Sequence, residues 1–125
     1  MAYREGQWDT AGNPLALKLE EFILELPGAF KDYAWGGCLY KTRAGKLICA
    51  MFHDKGKLKV LSKLTKEEQA AVVDHEQTLI ASHIGRHGWI TYILTDSADL
   101  EQAEGYILRS FELVATKKDI ALLGG

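Results

Sequence analysis

Between residues 14 and 26 the apolar positions Leu15, Leu19, Phe22, Ile23 and Leu26 fall on one helical face, with Lys18, Glu20, Glu21 and Glu25 on the other. That is the 3.6-residue period of an amphipathic helix. Asn13 is placed to cap it, Pro14 suits its first position, and Pro27-Gly28 stops it. A connecting segment carrying Phe30, Tyr33 and Trp35 follows, and the period then shortens to two.

The runs "GGCLYKT" and "KLICAMF" flank "RAG", which reads as a hairpin with Gly45 at positive φ. Leu47 to Phe52 is apolar on both faces, the mark of a central strand covered on one side by helices. "HDKG" makes the next turn. In "KLKVLSKL", Leu58 and Val60 alternate with Lys57 and Lys59, which predicts a half-exposed strand whose lysines suit a sheet edge.

Thr65-Lys66-Glu67-Glu68 has the spacing of a capping box. The helix it opens is expected to run to about Ser82, burying Val72, Val73, Leu79 and Ile80, until Gly85 and Gly88 break it. "WITYIL" is β-branched and aromatic and reads as a strand. Asp96 or Ser97 caps a last helix with Leu100, Ala103, Ile107, Phe111 and Val114 as its apolar stripe. The order α-β-β-β-α-β-α predicts an α+β fold, a mostly antiparallel sheet packed against two or three helices. One domain is expected over 1–125, with 1–12 and 118–125 loosely ordered.

Composition narrows the function without naming it. The chain has 125 residues, 47% hydrophobic and 26% charged, with a formal charge of −2. Such a chain carries no global electrostatic pull toward nucleic acid or an anionic membrane. No apolar run approaches the roughly 20 residues of a membrane span, and the start "MAYREGQWDTAGN" has no secretory pattern. The expected location is therefore the cytoplasm, with Cys38 and Cys49 as reduced thiols packed like small hydrophobes. A bridge between them would need their strands to pair in a favourable register.

The stretch "SHIGRHGWITYIL" concentrates His83, Arg86, His87 and Trp89 around two glycines. His83 and His87 have the i, i+4 spacing at which helical imidazoles share a metal, but Gly85 falls between them and no metal site is expected. Glycine N–H groups, Arg86 and an imidazole would suit a carboxylate or phosphate. The competing reading is a turn feeding a strand, with Trp89 entering the core. Trp35-Gly36-Gly37 is the second concentration: its glycines either admit a ligand beside a stacking Trp35 or relieve a bend while Trp35 fills the core. His53 is a third imidazole that the fold can bring near. No glycine-rich phosphate loop, no G-x-S-x-G elbow and no cofactor-binding motif is present.

The segment "ASHIGRHGWITYILTDSADLEQAEGYILRSFELV" resembles the closing part of the luciferase-domain family of uncharacterised proteins. The resemblance rests on His83, Gly88-Trp89-Ile90-Thr91, Asp99 and Leu108-Arg109-Ser110-Phe111-Glu112. More distantly the chain is similar to the MmcQ/YjbR-like proteins, small α+β domains with a tryptophan strand before a Ser-aromatic-Glu-Leu-Val helix. Some of those have been described as DNA-binding on fold analogy. Neither resemblance carries a luciferin-binding motif onto this chain.

With no convergent catalytic set, the sequence favours a small noncatalytic binding or interaction module over an enzyme. Its partner is unknown, and a homodimer through the sheet or an edge strand is one expectation. A ligand or metal domain built on the His83-Arg86-His87 turn is the first alternative. Nucleic-acid binding through the Lys57/Lys59 strand is the second and weaker one, since Asp54, Glu67 and Glu68 dilute the basic field. The candidate ligand-binding residues are His83, Arg86, His87, Trp89, Trp35 and His53.

Overall fold

A computed structural model describes residues 8–124. Six strands form one antiparallel sheet: β1 (Phe30–Ala34), β2 (Gly37–Lys41), β3 (Leu47–Asp54), β4 (Lys57–Lys63), β5 (Thr78–Ile80) and β6 (Trp89–Leu94). Their order across the sheet is β1-β2-β3-β4-β6-β5. Four α-helices accompany it: α1 (Pro14–Leu24), α2 (Lys66–Val72), α3 (Leu100–Val114) and α4 (Lys117–Ala121). The α+β class and the antiparallel sheet are as the sequence predicts.

Local signals explain most of these elements. The Asn13 side chain accepts from Leu15 N–H and Ala16 N–H, at 3.0 and 3.1 Å. Thr65 and Glu68 form the reciprocal capping box, each side chain accepting from the other's backbone N–H. Trp35-Gly36 and Lys55-Gly56 are two-residue turns with both members at positive φ, which matches strand twist in tight hairpins. Gly45, at φ 89, closes the β2–β3 hairpin as expected.

Three expectations are corrected. Residues 30–34, read as a connection, form the edge strand β1, paired with β2 from Phe30↔Lys41 to Ala34↔Gly37. The lysine-bearing strand β4 is interior, between β3 and β6. Its lysines alternate outward because one face of the sheet lacks a helix, not because it is an edge. Finally, α2 ends at Val72 rather than Ser82, and residues 78–80 are strand. Asp74 imposes the change: its carboxylate accepts from Glu76, Gln77 and Thr78 N–H groups, while its own N–H donates to Thr78 C=O. Both outward backbone groups of Thr78 are thus taken. Val72 and Val73 are half-buried, and Ile80 is 57% exposed rather than core.

Register divides the sheet into two faces. Cys38, Met51, Val60, Tyr92 and Thr78 stand side by side across five strands. Most of this row and its same-face neighbours pack with Leu19, Ile23, Ala103, Ile107 and Phe111 of α1 and α3 to make the main core. Cys38 and Cys49 both lie on this face but oppose Met51 and Tyr40, so they are diagonal; both are free and buried. The other face carries the row Leu39, Ala50, Leu61, Thr91 and Leu79, outside that core cluster.

The expectation of loose ends meets the described residues only in part, because residues 1–7 and 125 lie outside them. Thr10–Gly12 make a 3-10 turn capped by Asp9. At the other end α4 is held by Asp119, 5% exposed at its side chain, which accepts two hydrogen bonds from Arg43 Nε and one from Nη2.

Candidate binding groove

The helix-free face is not flat. Alternation brings Phe52, Lys59, Leu61, Thr91 and Leu79 to it, and they line a groove of about 760 Å³. One wall is the Trp35-Gly36 turn between β1 and β2; the other is Ile80 with the segment Ser82 to Ile84, which follows β5. Gly37 is needed at the floor. A Cβ there would run into the Phe52 ring and the Met51 carbonyl, so the glycine lets that ring settle beside the turn.

Both walls are held in unusual backbone. Trp35 has φ 55 and His83 φ 66, two of the four described non-glycine residues in the left-handed region, with Lys55 and His75. The second wall is also tied down from below. Gln69, 3% exposed, donates to Gly85 C=O at 2.7 Å and to Trp89 C=O at 2.8 Å. Gly88, at φ 96, passes so close to the Leu64 carbonyl that a Cβ there would collide with it.

The charge in the groove is balanced. Lys59 Nζ lies 3.0 Å from Asp54 Oδ2, and this hydrogen bond and charge hold the Asp54 carboxyl below the usual carboxylate range. On the same face Lys41 pairs with Asp32 at 2.9 Å. The lysines here are interleaved with carboxylates rather than forming a basic track.

Of the six residues singled out from sequence, the groove brings together Trp35, His53 and His83. Trp35 is 73% exposed, so it does not fill the core. His53 alternates toward the helix face and borders the groove only at the end of β3, where its ring stacks on Trp8 with centroids 6.2 Å apart. Arg86 and His87 lie outside the lining, in the 3-10 turn Gly85–His87, where Arg86 Nε donates to His87 Nε2 at 3.2 Å. Trp89 is buried, but on the groove side of the sheet opposite Lys63 and outside the main core cluster. His83 and His87 share no helix, and among the described residues no group of three or more His, Cys, Asp or Glu is placed to hold a metal.

Sequence reasoning missed Phe52, Leu61, Ile80 and Ile84 as groove residues. It also missed a polar cluster at the rim of the helix-covered face. There Lys31 Nζ contacts Asp9 at 2.7 Å and Glu20 at 2.6 Å, and Tyr40 donates to Glu20 at 2.7 Å. Burial raises the Asp9 pKa, but hydrogen bonds from Lys31, Thr10 N–H and Cys38 outweigh it and leave it at about 2. Burial, with the Asp9 carboxylate nearby, pushes the Cys38 thiol up to about 12, so it is no nucleophile at neutral pH. The cluster is internally satisfied and fastens residues 8–12 to the sheet.

A small α+β domain with a groove on the bare face of its sheet is the class these features define. Residues 24–113 match the YjbR family, and the chain belongs to it. This is the second of the two resemblances carried by the tryptophan strand and the helix after it. A search of curated proteins returned no match. Among the described residues no helix is long and apolar enough to cross a membrane.

Proposed function

We propose that the protein is a noncatalytic binding module whose ligand lies in the groove on the helix-free face, and that it works in the reducing cytoplasm. The observation that carries this reading is the pair of left-handed wall residues, Trp35 and His83, facing one groove. Folding alone favours Asn, Asp or Gly at the first position of such a turn. A tryptophan there costs about 1 kcal/mol of backbone strain and leaves its ring 73% exposed. Strain of this kind collects where function holds a residue in place. The groove volume of about 760 Å³ lies in the range of small-molecule sites, roughly 300–1,000 Å³. The cytoplasmic part rests on two buried thiols left unbridged.

Trp35→Asn separates the two roles. It is expected to raise stability by about 1 kcal/mol in urea denaturation, because Asn-Gly is the favoured pair for this turn. It is also expected to weaken binding of the ring probe N-phenyl-1-naphthylamine at least tenfold, read by probe fluorescence. Unchanged probe binding would remove the groove from the proposal.

A further inference from the structure

We infer that the groove selects an uncharged flat ring, stacked on Trp35, over an ionic ligand of the same shape; this rests on the groove being the binding site. Three observations lead there. First, the Trp35 indole is the most exposed large apolar group described, and among the described residues it has no stacking or hydrogen-bonding partner. An indole face left open at a groove wall takes another ring by offset stacking.

Second, the formal charges that line the groove cancel. Lys59 and Asp54 are engaged with each other at 3.0 Å. An anion would have to draw Lys59 away from Asp54, and a cation would have to draw Asp54 away from Lys59. Either exchange trades one solvent-exposed ion pair for another, and exposed pairs are worth little in water, so it returns little net affinity. The remaining polar side chains of the lining, His53, Ser82, His83 and Thr91, offer donors and acceptors for a ring heteroatom.

Third, the occupant lies across strands and does not extend the sheet. Asp74 holds both outward backbone groups of Thr78 on β5, and Gly85 sits directly against the Ile80 side chain. A peptide added as a seventh strand beside β5 would have to displace both. A compact ring between the Trp35 turn and the Ser82–Ile84 segment displaces nothing.

The test uses two probes with one skeleton: neutral N-phenyl-1-naphthylamine and its sulfonate, 8-anilinonaphthalene-1-sulfonate. Both are titrated into the full chain, Trp35→Asn and Asp54→Asn. The neutral probe is expected to bind at least tenfold tighter than the sulfonate and to lose at least tenfold in Trp35→Asn. Asp54→Asn frees Lys59 and is expected to cut the neutral-over-sulfonate preference at least fivefold. That shift is not produced by the neutral probe's greater oiliness.

Sulfonate binding equal to neutral binding, with both lost in Trp35→Asn, would overturn the ligand class and leave the groove standing. Binding of neither probe, or binding indifferent to Trp35, would overturn the groove as well. Sedimentation of the same samples provides the last arm. A dimer that Trp35→Asn dissociates would make a second copy the occupant and overturn the small-ring assignment.

Discussion

Ser62 sits on the helix-covered face, fully buried opposite Cys49, and its hydroxyl is the one buried side-chain polar atom without a hydrogen-bond partner among the described residues. A hydroxyl taken from water with nothing in exchange costs free energy. Ser62→Ala is therefore expected to stabilise the protein by about 0.5–1 kcal/mol, seen as a higher urea midpoint with unchanged slope. A lower midpoint would mean that the hydroxyl has a use the packing does not show. Ser62 contrasts with Trp35. One is a polar group where the core wants none, the other an apolar ring where the turn wants none, and only the second borders a groove. Glycine pairs marked the Trp35 turn in the sequence. The direction of its ring was not legible, because a tryptophan beside a hairpin serves equally well as core or as platform.

At the scale of elements, α1 and α3 were readable because each keeps the helical period without interruption, and β6 because it is β-branched and aromatic nearly throughout. The segment after α2 was not. Val72, Val73, Leu79 and Ile80 keep helical spacing across 72–80, yet the chain leaves the helix and returns as β5. The deciding groups are the Asp74 carboxylate and a left-handed His75, at φ 64, and neither alters a hydropathy pattern. β1 escaped notice because four of its five residues are half-buried and the fifth exposed, so no apolar alternation marks it. The returning segment is pinned by Gln69, whose amide reaches two carbonyls that also accept from backbone N–H groups. Gln69→Leu removes one anchor without stranding either carbonyl, and a loss of about 1–2 kcal/mol is expected. Hydrogen exchange should quicken over 81–89 well before the rest of the sheet. Uniform acceleration everywhere would assign Gln69 to global stability instead.

For the whole molecule, one sheet face carries the main core, and the other buries Leu39, Ala50, Trp89 and Ile93 while leaving a groove between the Trp35 turn and the Ser82–Ile84 segment. The first was legible from the alternation of Leu58 and Val60 with lysines. The second was not, since it is assembled from β3, β4, β5, β6, the Trp35-Gly36 turn and the Ser82–Ile84 segment, residues distant in sequence with no shared motif. The carboxylates set the acid limit of this arrangement. Asp9 falls from 3.8 to about 2. Asp99, through the Thr95 backbone N–H first, and Glu68, through Thr65 N–H and then Arg109, are also held low. A folded pKa below the unfolded one gives stability that is whole above the unfolded value and lost as pH falls through the folded one. For Asp9 that window runs from 3.8 down to about 2. The thermal midpoint is expected to drop across it, and Asp9→Asn should flatten the drop. A midpoint that holds steady to pH 2 would show that these contacts add nothing to the fold.

The sealing of Thr78 by Asp74 bears on how this protein survives crowding. A bare strand margin is a template on which neighbouring chains can polymerise into fibrils. On the β5 margin, Thr78 meets a side chain that imitates the next strand, so a newcomer finds those groups already engaged and β1 is the margin left to offer a template.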